Sequence, residues 1–445
     1  MRTVVIGAGP AGLGAARRLA EAGETDWAVY EAHGYVGGMS ASHVDEAGFL
    51  WDEGGHVLFS RYRYVDAVID EAMGDDFLPY ERSAWIYLLN SWVPYPFQNN
   101  LRHLPKEALL DCLEGLTELA VRREKSVKTF KDWLLANFGS GICEYFLFRH
   151  NGKLWTVPLD EVGAYWTGES VSAINVRHVL SDVIFGRDDT GFGANKYFKY
   201  PLHGGTGEIW RRVAAPFADK VAVNKRIQSI DLDKKEISFA DGGGDAYDNL
   251  ISTMPLTKLL EACGVTDKAV KSAAGELKST NVLVVGAGLR DEEKNSRAWV
   301  YYPEETAPFY RCTHLSNYSP YTVPDGDAEK YKSYMFEVAY RPGETVDREA
   351  AFEGCLAAIK AAGVVGPDCR DHLVSRYYND VPDAYPIPTL RREEALDVIL
   401  PYLNSRGVFS SGRMGAWKYE LASMDQAFMQ GVHTIEELLG QSLSG

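Results

Sequence analysis

The apolar and polar positions of this chain change period several times. Thr3-Val4-Val5-Ile6 is a run of mostly β-branched residues, the mark of a short buried strand. Residues 11–23 then set Leu and Ala against Arg17, Arg18 and Glu21, as an amphipathic helix does. Trp27-Ala28-Val29-Tyr30 predicts a second strand, residues 65–73 a helix and residues 85–89 another strand. The aromatic stretch 92–100 contains Pro94 and Pro96, which exclude both a helix and a central strand. From 106 to 187 the period turns helical. Leu109, Leu110, Leu113, Leu116 and Leu119 recur at threes and fours, followed by Trp133, Leu134, Phe138 and Phe146, which suggests an inserted bundle.

Past Gly204-Gly205-Thr206-Gly207 a helix leads to Val221-Ala222-Val223, a hairpin spans 227–239, and 247–255 reads as a strand returning to the first sheet. Alternating strands follow at 282–285, 298–302, 309–314, 334–340 and 373–378, with one helix near 351–360. A strand over 408–413 closes on a glycine, and Met424-Asp425-Gln426-Ala427 opens a final helix. Residues 173–187 and 191–200, with their Gly and Asp content, read as loops able to close over a ligand.

The glycines that interrupt the first strand and helix carry chemistry. Gly7, Gly9 and Gly12 fit Gly-x-Gly-x-x-Gly: a tight turn, close backbone approach to a pyrophosphate, and close helix–strand packing. Glu31, at the end of the second strand, is the acid expected to accept ribose hydroxyls. Strand, helix, strand and acid fall in register, so an adenine dinucleotide is expected here. Gly37-Gly38 and Gly54-Gly55 follow soon after the acid and favour FAD over NAD. Gly286-Ala287-Gly288 lacks a third glycine and predicts no second nucleotide site.

The fold expected is α/β: a discontinuous Rossmann-like FAD-binding domain with an inserted helical domain and an antiparallel β-sheet domain. The boundaries read as 1–82, 203–258 and 398–445 for the FAD-binding parts. They read as 83–98, 189–202 and 259–397 for the sheet, and 99–188 for the helices. A length of 445 residues suits such a division. The net charge of −16, from 46 basic and 62 acidic residues, argues against nucleic acid and anionic membranes. Six scattered cysteines show no metal spacing and suit a reduced, cytoplasmic protein. No apolar run approaches the ~20 residues of a membrane span, and the early first strand leaves no room for a signal peptide.

Several blocks resemble one family. Residues 92–100 (WVPYPFQNN), 154–158 (LWTVP), 204–207 (GGTG), 309–321 (FYRCTHLSNYSPY) and 411–420 (SGRMGAWKYE) are similar to UDP-galactopyranose mutases, especially the larger eukaryotic-type members. The resemblance implies a flavin-dependent sugar-nucleotide mutase. Such enzymes interconvert UDP-galactopyranose and UDP-galactofuranose with no net redox change. Reduced FAD attacks the anomeric carbon through N5 and expels UDP, which returns after the sugar has reclosed as the smaller ring.

By that resemblance His56, Arg311 and Arg413 are the catalytic candidates, the arginines on the diphosphate. Tyr301, Tyr318, Tyr385 and Tyr419 match phosphate-binding tyrosines; Tyr95, Phe97 and Gln98 match the uridine pocket. Asn151, Trp155 and Trp299 match positions lining the substrate channel, and Asn195 one near the sugar. Gly55 and His56 would lie against the flavin N5 region. Gly7, Gly9, Gly12, Glu31, Gly38, Val223, Gly412 and Gln426 complete the cofactor set, Val223 through its backbone on the adenine. The start of the last helix, aimed at the flavin, would favour its reduced, anionic form. Arg82 matches a residue associated with NAD(P)H as reductant. No metal is implied. The plain alternatives are an Arg–carboxylate pair for each arginine, a satisfied core histidine for His56, and core packing for the tyrosines.

The chain departs from the family at Gly168-Glu169-Ser170, where an arginine is expected on the diphosphate. Losing such a charge-assisted contact costs about 1.5–3 kcal/mol. Lys153, Lys199 or His203 could compensate, or the nucleotide sugar differs. Arg61 and Ser423 also replace the family's usual residues. A rival reading is an oxidase of the amine-oxidase type sharing the FAD fold. Monomer and homo-oligomer both remain open.

Overall fold

The computed structural model describes residues 1–121, 126–167, 174–190, 197–292, 295–421 and 423–441. Two large sheets organise them. The first has five parallel strands in the order Val408–Ser410, Asn249–Ser252, Thr3–Ile6, Trp27–Tyr30, Val221–Ala222. Strands buried on both faces read as continuous apolar runs, and Thr3–Ile6 is buried at every position. One face carries the helices Pro10–Glu21, Gly205–Ala214 and Met424–Leu439, whose Leu13, Trp210 and Phe428 share a core with Val5 and Ile251. The other carries Leu256–Ala262, Lys268–Ala274 and Arg392–Asn404, through Leu259, Val270 and Ile399 packed with Val4 and Leu250. These three helices escaped the sequence reading. They also move a boundary: residues 259–277 and 392–397 pack on the parallel sheet, not on the second sheet to which they had been assigned.

The second sheet has seven strands: Leu373–Ile387, Lys278–Arg290, Tyr331–Tyr340, Arg311–His314, Trp299–Tyr301, Ala84–Leu88, Ser91–Pro94. Its expected antiparallel character needs one correction, because Trp299–Tyr301 runs parallel to Ala84–Leu88. Ser91–Pro94 is the sheet's last strand, the edge position at which proline is tolerated. Gly286 and Gly288 face aromatic rings: a Cβ there would lie 2.8 Å from the Trp51 ring and 2.7 Å from the Phe49 ring, so the glycines make room for aromatic packing. The helix Arg348–Ala361 covers one face of this sheet.

The other face meets a helical layer of Lys106–Val121, Phe130–Ile142, Phe148–Trp155 and Val176–Phe185. Thr129 starts the second of these with a reciprocal capping box to Asp132. The supposed loop at 173–187 is a helix over Val176–Phe185, because Asn175 caps it and Gly186 ends it in the left-handed conformation. Tyr197–Pro201, likewise read as loop, pairs antiparallel with Phe77–Glu81.

Candidate active site

Two kinds of construction meet in the site. The first is made of backbone. Gly7 ends its strand at φ 97°, with its N–H donating to the Tyr30 carbonyl at 2.8 Å. A Cβ on Gly12 would lie 1.8 Å from the Gly7 oxygen, so no other residue lets helix and strand approach so closely. The helix Pro10–Glu21 begins at Gly9 with no side-chain cap and no acid in its first turn, leaving its N–H groups for an anion. Gly38, at φ 53°, faces Gly9, where an added Cβ would come within 3.1 Å of the Gly9 Cα.

Glu31 is buried beside this turn. Its Oε2 accepts the Ala8 N–H and its Oε1 the His33 N–H, both at 2.8 Å, which aims the carboxylate and leaves a second lone pair on each oxygen for ribose. Val223 directly follows the strand whose Ala222 carbonyl accepts the Glu31 N–H at 2.9 Å. Gly412 heads the short helix Gly412–Gly415, where a Cβ would lie 2.8 Å from the Ala11 Cβ. The structure thus gathers Gly7, Gly9, Gly12, Glu31, Gly38, Val223 and Gly412 around one helix start, and this glycine-lined cradle fits the pyrophosphate of FAD.

Gln426 stands in the first turn of the last helix. Its Oε1 accepts the Ser423 Oγ at 2.7 Å and the Ser423 N–H at 3.3 Å, so the side chain caps its own helix. Asp425, wholly buried in that first turn, accepts the Arg61 N–H at 3.1 Å. A carboxyl therefore already sits at the positive helix end expected to face the flavin.

The second construction is made of side chains drawn from distant segments. Gly55 lies flat on Arg311: a Cβ there would be 3.0 Å from the guanidinium carbon and 2.9 Å from Thr313 Oγ1. Arg311 opens its strand directly opposite Glu337, and the register produces a two-point pair, Nη2 to Oε1 at 2.8 Å and Nε to Oε2. The Arg–carboxylate alternative is therefore realised for Arg311, with Nη1 outside the pair. Burial raises the Glu337 carboxyl, but the Arg311 charge outweighs it and holds the group below its ordinary value. The Tyr310 hydroxyl donates to Glu337 Oε1 at 3.1 Å and lies 3.2 Å from the Tyr385 hydroxyl.

Arg413 differs. Its Nη2 meets Met39 Sδ at 3.2 Å, its guanidinium stands 5.3 Å from the Tyr385 ring, and no carboxylate pairs with it among the described residues. His56 feels both arginines. Burial, then the Arg413 charge, pulls its imidazole down to about 4 from 6.5, so it is neutral. Its buried Nδ1 has no partner, which sets aside a satisfied core histidine and suits a polar group on the cofactor side.

The aromatic wall is arranged unevenly. Tyr95 tilts over Tyr301 at 5.4 Å, and Arg82 stacks over Trp299 at 4.8 Å. Tyr385 and Tyr419 lie 5.9 Å apart. Tyr318 is buried with its hydroxyl unpartnered. Gln98 is buried as well. Phe97 must be reassigned: it is wholly buried and stacked on Phe146 at 4.9 Å, so it backs the pocket and offers uracil no free face. Trp155 is likewise wholly buried, its ring edge-on to Tyr419 at 4.5 Å. Asn151 turns its Nδ2 to the Leu147 carbonyl at 2.8 Å, within its own helix. Asn195 and Gly168-Glu169-Ser170 lie outside the described residues.

Each of the proposed substitutes for the missing arginine already has partners within the chain. Lys153 Nζ donates to the carbonyls of Tyr302, Glu304, Ala307 and Phe309 at 2.5–3.1 Å, and burial brings its ammonium down to about 8. Lys199 pairs with Asp70 at 3.1 Å and His203 with Asp76 at 3.0 Å.

Glu337, Tyr310 and His150 were missed. Glu337 had a signal, a lone acid within the largely apolar run Tyr334–Tyr340. His150, whose buried Nδ1 has no hydrogen-bond partner, lies 5.0 Å from Tyr301, just beyond a π-helical turn at Cys143–Leu147, a widening frequent at functional sites.

A family model for flavin-containing amine oxidoreductases matches residues 10–439. A crystal structure of reduced UDP-galactopyranose mutase superposes with a TM-score of 0.93 at 36% identity, covering 100% of this chain and 96% of that one. A putrescine oxidase bound to putrescine shares the fold at a TM-score of 0.65 and 16% identity, covering 99% of each chain. Among curated relatives, a 15-cis-phytoene desaturase from Synechococcus elongatus is 36% identical over 87 residues, 20% of this chain and only 18% of that protein.

Proposed function

The chain belongs to the flavin-containing amine oxidoreductases and, among them, to the UDP-galactopyranose mutase family, and from that premise we propose that it interconverts UDP-galactopyranose and UDP-galactofuranose with no net redox change. Bound FAD, in its reduced form, would supply the electron-rich N5 that displaces UDP from the anomeric carbon.

The observation that carries this reading is the convergence of cations and phenols. The charges of Arg311 and Arg413 both act on His56 and on Tyr419, and Arg82 acts with Tyr95, Tyr301 and Tyr318. A diphosphate asks for such a surface, whereas an amine would be repelled by it. Arg413 and the free edge of Arg311 would hold the diphosphate before and after it leaves the sugar, so that it stays within reach for its return. The Tyr301, Tyr318, Tyr385 and Tyr419 hydroxyls would donate to its oxygens, and Tyr95 and Gln98 would receive the base. The Trp155, Tyr419 and Tyr385 wall excludes water, which would otherwise hydrolyse the sugar. Neutral His56 keeps a third positive charge away from the flavin edge.

A different nucleotide-activated sugar is the second reading. It is favoured by Ser170, with Lys153, Lys199 and His203 each already partnered within the chain. Six free thiols, five of them buried, agree with a reducing cytoplasm, and NAD(P)H is the proposed reductant. Among the described residues no helix is long and apolar enough to cross a membrane.

The test is to incubate dithionite-reduced and oxidised protein with UDP-galactopyranose and separate the two ring forms chromatographically. Equilibration by the reduced protein alone is expected. A fully reduced, flavin-loaded protein that leaves the two forms unequilibrated refutes the proposal. Tighter displacement by TDP than by UDP would favour the second reading.

A further inference from the structure

Away from the cradle and its aromatic wall, the helix Val176–Phe185 carries a cluster that the proposed reaction does not use. Its cap Asn175 accepts the His178 N–H at 3.1 Å, fixing the first turn. His178 and Asp182, four residues apart, share one helix face. The loop beyond the helix returns Asp189 to the same point, so that the ligand-type atoms of all three side chains lie within 4.8 Å of one another. His178 Nε2 is 3.1 Å from Asp182 Oδ2 and 3.0 Å from Asp189 Oδ2.

An imidazole N–H can satisfy only one of these oxygens. The geometry directs it to Asp189. Asp182, whose side chain is 7% exposed, is left with a buried Oδ2 that has no hydrogen-bond partner and points at the same nitrogen. A buried charged oxygen without a donor is costly, and a cation between the three groups would satisfy all of them.

We propose that His178, Asp182 and Asp189 bind one divalent transition-metal ion of the zinc class. One imidazole and two carboxylates suit Zn²⁺, whose nitrogen and oxygen ligands stand at about 2.0–2.2 Å. The nitrogen–oxygen separations of 3.0 and 3.1 Å need little change to accept it. Binding expels the proton from Nε2 and leaves two negative charges against two positive. His178 is half exposed, which gives the ion an entry path. Outer contacts that orient a ligand are already built. Asn99 Nδ2 donates to Asp189 Oδ2 at 2.9 Å, while Asn100 accepts the Asp189 N–H at 3.0 Å and donates to its carbonyl at 2.7 Å. The ion would thereby pin this helix to the segment that carries Tyr95 and Gln98. His43, His372 and His433 each meet a single acid and serve as internal controls.

The experiment uses untagged full-length protein stripped with a chelator and titrated with Zn²⁺ by calorimetry, with thermal unfolding in parallel. One equivalent is expected to bind and raise Tm. His178→Gln should weaken that binding at least about tenfold with an unchanged far-UV spectrum, and His433→Gln should leave it as it was. Asp182→Asn should also lose the site. Equal stoichiometry and affinity in His178→Gln, or no stoichiometric binding by the unaltered protein, overturns the proposal.

Discussion

The backbone-built cradle and the side-chain-built wall were expected as one site, yet they obey different rules. In the cradle the groups left open are main-chain N–H donors, and the side chains matter chiefly by being absent, as at Gly9, Gly12 and Gly38. In the wall everything depends on side chains paired across the sheet, as Arg311 is with Glu337. Damage to the first should act through sterics, and damage to the second through charge.

The strongest way to break the comparison is Gly12→Val. Its Cβ would meet backbone 1.8 Å away, with nothing flexible to yield. We expect a loss of more than ~5 kcal/mol in urea unfolding and protein recovered without visible flavin absorbance. A stable yellow variant would mean that the turn does not pack as described.

The two arginines sharpen it next. Glu337→Gln leaves the Arg311 guanidinium buried without its counter-charge, and should cost about 3–5 kcal/mol of stability. Arg413→Gln removes a cation that balances no acid among the described residues. It should change stability by less than ~1 kcal/mol while weakening UDP binding about ten- to a hundredfold. Equal stability losses would show that the two arginines are alike after all. Denaturant curves and UDP quenching of tryptophan fluorescence separate the cases.

Acid provides a graded probe, small at each step of pH. His314, in the wall's own sheet, is buried with both ring nitrogens unpartnered, and burial lowers it to about 3 from 6.5. The unfolded chain binds this proton below pH 6.5 and the folded chain does not. The stability that the neutral ring permits is therefore complete above 6.5 and falls as pH drops towards 3. His314→Phe should flatten the stability–pH slope by about 1.4 kcal/mol per pH unit across that window. An unaltered slope would mean that His314 titrates normally.

The cradle was almost fully legible in the sequence, because its parts lie within a few residues of one another and their spacing is their geometry. The wall was not. Arg311 was found by resemblance, but its tie to Glu337 follows from strand register, which local periodicity does not encode. Phe97 and Trp155 were recognised as aromatic, whereas their complete burial depends on Phe146 and Tyr419, far along the chain. Among the elements, Arg392–Asn404 was hidden by its opening run of charges and by Pro401. Arg392 is in fact buried, forked onto Glu420 at 2.6 and 2.8 Å, and so reads as surface only until its partner is known.

The strand order of the parallel sheet has a consequence for synthesis. Thr3–Ile6 lies between Trp27–Tyr30 and Asn249–Ser252. One side of this first strand can be joined almost at once, but the other waits for residue 249, roughly ten to fifty seconds later at ribosomal speed. Throughout that interval the nascent chain carries an open, apolar edge of the kind that recruits other chains. Its safe emergence from the ribosome therefore depends on shielding from outside the molecule, and overproduction beyond chaperone capacity should send it into inclusion bodies.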